Sequence, residues 1–104
     1  MWILMNDAML SIVAHNARPD DFLVRARLSG DIESVFPEAE VVEGGGSDYR
    51  FRAVLPRPVV AEALCRRLLD IDYGNFKASV RQSDRHSAYL DIWGILYNLQ
   101  QSKR

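Results

Sequence analysis

One cysteine, two histidines and no apolar run near the length of a bilayer put several protein classes out of reach. Cys65 alone cannot form an internal disulfide or build a metal site, and in a helical pattern it reads as a small buried thiol. A membrane-spanning helix needs about 20 consecutive apolar residues, and the longest runs here fall far short. Met1-Trp2-Ile3-Leu4-Met5 lacks a basic flank and meets Asn6-Asp7 at once, unlike a signal peptide. The expectation is a cytoplasmic protein with no membrane contact. No spacing of His, Cys or acid matches a metal motif, so neither metal nor cofactor is expected. Gly44-Gly45-Gly46 leads into a strand rather than a helix N-terminus, so it is no phosphate loop. A nucleophile elbow and a C-x-x-C pair are also missing. Together these absences count against an enzyme.

What remains is a chain of 104 residues that is 48% apolar, enough for one core and one domain spanning residues 1–104. Its net charge of −1 is unevenly spread. Residues 1–48 hold nine acids against three arginines, a net of −6, while residues 49–104 hold ten bases against five acids, a net of +5. Halves of opposite sign can pack and neutralise each other, and overall neutrality disfavours nonspecific nucleic-acid binding.

Residues 2–5 and 9–14 are short apolar runs around Asn6-Asp7-Ala8, the pattern of a hairpin with a turn of about three residues. In residues 22–28, Phe22, Val24, Ala26 and Leu28 alternate with Arg25 and Arg27, a half-buried strand. Ser29 is placed to cap a short helix carrying Asp31 and Glu33 in its first turn, and Pro37 stops it. Residues 40–43 read as a short strand and 44–48 as a flexible hairpin loop. Residues 49–55 alternate again, with Tyr49, Phe51, Ala53 and Leu55 inward and Arg50 and Arg52 outward. Pro58 suits the first turn of a longer helix whose Val60, Leu64, Leu68 and Ile71 share one face. Ser83 and Asp84 can cap a last helix with Tyr89, Ile92, Trp93, Leu96 and Leu99 on one side, and residues 102–104 form a frayed tail. The fold class is α+β: a two-layer sandwich in which an antiparallel sheet of about five short strands is covered on one face by two longer C-terminal helices, with one short helix besides.

Several segments together are similar to a family of roughly hundred-residue bacterial proteins of uncharacterised function. They are Met1-Trp2-Ile3-Leu4, Leu10-Ser11-Ile12-Val13, Leu23-Val24-Arg25-Ala26-Arg27, Gly30-Asp31, Asp48-Tyr49-Arg50-Phe51-Arg52-Ala53, Ile71-Asp72-Tyr73-Gly74-Asn75-Phe76-Lys77 and Trp93-Gly94-Ile95-Leu96-Tyr97. The resemblance covers almost the whole chain and is most specific at residues 71–77. It implies a free-standing cytoplasmic domain and carries over no activity. The loose Gly44-Gly45-Gly46 loop departs from it, which argues against a site there.

Two places could carry function. If their strands are neighbours, Arg25, Arg27, Arg50 and Arg52 crowd one face of the sheet. That patch suits a carboxylate- or phosphate-rich partner, with Trp2 and Trp93 as aromatic anchors. The competing reading is neutralisation by Glu40, Glu43, Asp48 or helix carboxylates. RNA recognition would also need aromatics on that face, whereas Tyr49 and Phe51 are expected to point the other way. The second place is the corner formed by Asp72, Tyr73, Asn75 and Lys77 with His86. There Asp72 as base, Lys77 as stabiliser and His86 or Tyr73 as acid would make a small enzyme. The structural alternative has Asn75 capping a turn, Tyr73 and Phe76 as core anchors, and Lys77 paired with Asp72 or Asp70. Lys77, Arg81 and Arg85 would also form a basic stripe if one helix held them. The balance favours a noncatalytic binding or regulatory module acting through protein contacts. A nucleic-acid-associated protein and a phage or mobile-element inhibitor of a host machine are the alternatives, and the sequence leaves the oligomeric state open.

Overall fold

Two short apolar runs and the alternating segments after them form five strands: β1 (Trp2–Leu4), β2 (Met9–Ala14), β3 (Asp21–Ala26), β4 (Val42–Glu43) and β5 (Phe51–Pro56). The computed structural model describes residues 1–44 and 48–103. The expected loop at 44–48 therefore lies mostly outside the described residues, as does Arg104 at the end of the expected tail. All pairings are antiparallel and the sheet order is β1-β2-β3-β5-β4. The helices are α1 (Asp31–Val35), α2 (Arg57–Leu69), α3 (Phe76–Ser79) and α4 (Ser83–Ser102). The class is α+β, as the sequence patterning indicates.

Contacts divide the chain into two compact units, Met1–Asp72 and Tyr73–Arg104. In the first unit, alternate strand residues Leu10, Ile12, Val24, Ala26 and Ala53 point to one face, where α1 brings Ile32 and Val35 and α2 brings Val60. Leu10, Val24, Ile32 and Val60 are almost fully buried. Burying each such aliphatic side chain stabilises the fold by about 1.5–3 kcal/mol relative to leaving it in water.

Local chemistry explains the boundaries and corrects several expectations. The cap of α1 is Gly30 at φ +91°, not Ser29, because the chain enters the helix through the left-handed region that glycine tolerates. Asp31 then turns inward, 4% exposed, and its Oδ2 accepts the Met9 amide at 3.0 Å. Pro58 sits in the first turn of α2, where its missing N–H is harmless. Only the start of the expected α2 face is covered: Leu64 packs on the core, while Leu68 and Ile71 are exposed. Cys65 is exposed too, so it is not a buried thiol. In the β1–β2 connection the Met5 amide donates to the Ala8 carbonyl at 2.7 Å, closing a four-residue loop.

In the second unit Asn75 caps α3, its Oδ1 accepting from the Ala78 amide at 3.0 Å. Gln82, not Ser83, caps α4, and Asp84 accepts from the Arg85 amide at 2.8 Å. Val80, Arg85 and Tyr89 are the buried residues among those described here. Tyr73, Phe76 and Tyr89 make a chain of ring contacts at 6.0 and 5.7 Å, but Tyr73 and Phe76 are half-buried rather than the core anchors expected.

Candidate functional site

The register of the sheet decides which side chains share its second face, opposite the core. Trp2 pairs with Ser11, Ser11 with Arg25, Arg25 with Arg52, and Arg52 with Val42. One row thus crosses all five strands. Trp2 stands exposed at one edge and Val42 at the other. Residues two positions along β1, β2, β3 and β5 add Leu4, Met9, Val13, Leu23 and Val54, so two arginines sit among apolar neighbours. Cross-strand neighbours lie about 5 Å apart, which sets the Arg25 and Arg52 side chains beside each other.

Each arginine is held differently. Arg25 donates from Nη2 to the Ser11 hydroxyl at 2.9 Å and lies 4.5 Å from the Tyr49 ring centroid. Ser11 is 1% exposed, so this bond satisfies a hydroxyl that burial would otherwise penalise by about 1–3 kcal/mol. The Arg25 Nε is buried without a hydrogen-bond partner among the described residues. Arg52 donates from Nη2 to the Tyr49 carbonyl at 3.3 Å. Arg27 forms a bidentate pair with Asp48, at 2.9 and 3.0 Å, and also lies 4.3 Å from the Tyr49 ring centroid. Those hydrogen bonds first, then the charge of Arg27 and a weaker pull from Arg25, hold the Asp48 carboxyl below the usual aspartate value. Desolvation, second to those hydrogen bonds in size, opposes them. The same pair raises the Arg27 guanidinium. The expectation of neutralisation is therefore met at Arg27 by Asp48.

Two sequence expectations about this face are corrected. Tyr49 does not point inward. The chain bends at Asp48 and Arg50, so strand alternation starts at Phe51, and Tyr49 is buried with its ring against both the Arg25 and the Arg27 guanidiniums. Phe51 does face the core. The second correction concerns Arg50. One more ladder step would set Arg27 against Arg50, but β3 ends at Ala26 and β5 begins at Phe51. Arg50 is exposed outside the strand, and the row holds Arg25 and Arg52 without it.

The corner at residues 72–77 resolves mostly into structural roles. The division between the two units falls between Asp72 and Tyr73. Asn75 is the cap described above. Lys77 places its Nζ 4.3 Å from the Trp93 ring centroid, a cation–π contact instead of the expected aspartate pair. Trp93 stacks on Tyr97 at 5.3 Å, so it is partly covered as an anchor and belongs to a different unit from Trp2. His86 occupies the first turn of α4, half-buried, its backbone amide donating to the Gln82 carbonyl at 2.8 Å. The expected basic stripe does not form. The helix breaks between Ser79 and Ser83, Arg85 is buried with Nε on Gln82 Oε1, and Arg81 is left exposed.

A feature absent from the sequence reading is an open groove beside α2. Its two depressions, about 480 and 340 Å³, share Val35, Val59 and Ala63. The larger is lined by Phe36, Pro37, Leu55 and Pro56, and the smaller by Glu62, Arg66, Arg67 and Asp70. Arg67 closes the charged end by donating to Asp7 Oδ1 and the Ser34 carbonyl, both at 2.8 Å. That bond joins residues sixty positions apart and is one instance of the acidic and basic halves compensating.

Among the described residues, no group of three or more His, Cys, Asp or Glu side chains could hold a metal ion. No helix among them is long and apolar enough to cross a membrane. No protein-family model, curated protein or solved structure matches this chain.

Proposed function

We propose that the protein is a noncatalytic binding or regulatory module that docks an acidic protein segment on the second face of its sheet. The observation that carries this reading is the row Trp2, Ser11, Arg25, Arg52 and Val42 across all five strands. Arg25 makes its hydrogen bond to the Ser11 hydroxyl and its ring contact to Tyr49, and it acts on the Asp48 carboxylate only through its charge, so an incoming carboxylate can still pair with it directly. Buried Ser11 and the Tyr49 ring fix the guanidinium beforehand, which lowers the entropy lost on binding. Trp2 offers an exposed aromatic in the same row, and tryptophan and arginine are the residues most often dominant at interfaces. A cytoplasmic location and kinship with hundred-residue bacterial proteins belong to the same proposal.

The test is affinity capture from a native lysate with wild type and with Arg25→Gln/Arg52→Gln, each with and without nuclease. The reading predicts a stoichiometric partner that survives nuclease and weakens at least tenfold in the variant, provided circular dichroism shows an intact fold. Recovery that vanishes with nuclease, and falls steeply with salt, would identify a nucleic-acid binder instead. Equal recovery by wild type and variant would remove the arginine row from consideration.

A further inference from the structure

The second half of α4 has an unusual surface for a helix with so little covering it. Residues 92–102 contain no charged side chain, although α4 carries Asp91 immediately before them and Lys103 follows. Five large apolar residues in this stretch, Trp93, Ile95, Leu96, Tyr97 and Leu99, are between 44% and 68% exposed. At 100° per residue they span more than half of the helix circumference. A helix apolar over so wide an arc is normally covered. The Trp93–Tyr97 stack and Lys77 on the Trp93 ring hold part of this surface in one conformation.

We infer that residues 92–102 form the contact face of a homodimer, packed antiparallel against the same segment of a second copy. Three features favour a second copy over an unlike partner or a lipid surface. Residues 92–102 carry no charge of their own with which to select a charged partner, and in an antiparallel pair the Lys77 ammonium on Trp93 falls level with Gln101 of the other copy rather than with its own duplicate. A lipid-surface helix would carry lysine and arginine on its polar side, and this stretch has none. In an antiparallel pairing centred on Tyr97, Asp91 of each copy is level with Lys103 of the other, whereas a parallel pairing sets Asp91 level with Asp91. The area is also sufficient. At about 150–250 Å² per large side chain, the exposed parts of the five residues come to about 500 Å² per copy. A pair would bury about 1,000 Å², the lower edge for a specific interface, which fits micromolar self-association.

Sedimentation velocity of the full chain from about 1 to about 100 µM brackets that affinity. The expected result is a concentration-dependent monomer–dimer equilibrium. Leu96→Glu and, separately, Ile95→Glu should each weaken it at least tenfold. Both positions are exposed, so the variants should keep wild-type circular dichroism, and either one suffices if the other misfolds. In a Cys65→Ser background, spin labels on Ser87→Cys should lie at least about 30 Å apart along the antiparallel pair, from 20 residues at 1.5 Å rise. A strictly monomeric wild type at about 100 µM, or a dimer unaffected by both glutamates, would overturn the inference. A label separation of about 10–20 Å would contradict the antiparallel arrangement.

Discussion

In Met1–Asp72, Leu10, Val24, Ile32 and Val60 are sealed between a sheet and two helices, and the sheet joins strands far apart in sequence. In Tyr73–Arg104, the described side-chain contacts join α3 to α4, such as Phe76 with Tyr89 and Lys77 with Trp93, and most of the large apolar side chains of α4 are exposed. The first unit therefore takes its stability from burial within itself and leaves a polar-and-apolar second sheet face, the one proposed for recognition. The second spends its apolar residues on a surface. The two uses call for different tests.

The largest effect should come from the sealed core. Leu10→Ala removes a side chain with no exposure, and we expect a loss of about 2–5 kcal/mol in urea unfolding. The matched change on α4, Leu96→Ala, should stay within about 0.5 kcal/mol at dilute concentration, because that side chain already meets water. Equal losses would erase the contrast between the units. Next comes Asp31→Ala, which leaves the Met9 amide without its acceptor and should cost about 1–3 kcal/mol in the same measurement. In the second unit, Asn75→Ala removes the cap of α3. A loss of about 0.5–2 kcal/mol is expected, read as faster hydrogen exchange at the Ala78 amide.

The smallest effect concerns the Arg27–Asp48 pair, which is exposed and screened by salt. Asp48 is held below its ordinary value in the folded protein, so the pair contributes at neutral pH. That contribution fades as pH falls below about 4 and through the folded value. The Asp48 carboxyl carbon, followed by NMR, should titrate below the usual aspartate midpoint in wild type and move up towards it in Arg27→Ala. An unchanged midpoint would mean that the pair does not persist in solution.

Much of the first unit was legible because its strands are half-buried and alternate. Phe22, Val24 and Ala26 against Arg25 gave β3, and Arg52 between Phe51 and Ala53 gave β5. Where alternation ended was not legible. A bend at Asp48 and Arg50 is a local backbone matter, and it sent Tyr49 to the arginine face and Arg50 off it. Ser11 carried a readable signal, a lone hydroxyl inside the run Leu10-Ser11-Ile12-Val13, but its importance depends on a cross-strand register with Arg25 that one strand alone does not encode. The exposure of Leu68 and of Leu96 was equally hidden. Helical periodicity shows that a face is apolar and says nothing about what covers it. At the corner, the capping role of Asn75 followed from residue type, whereas the partner of Lys77 lay sixteen residues away at Trp93.

The most direct test of the recognition claim is selection of extended peptides from a random display library on immobilised wild-type protein, with Arg25→Gln/Arg52→Gln as the counter-target. The account predicts retained peptides enriched in aspartate and glutamate that lose binding to the variant while it keeps its fold. Retained peptides without acidic bias, or acidic peptides that bind the variant equally well, would contradict it.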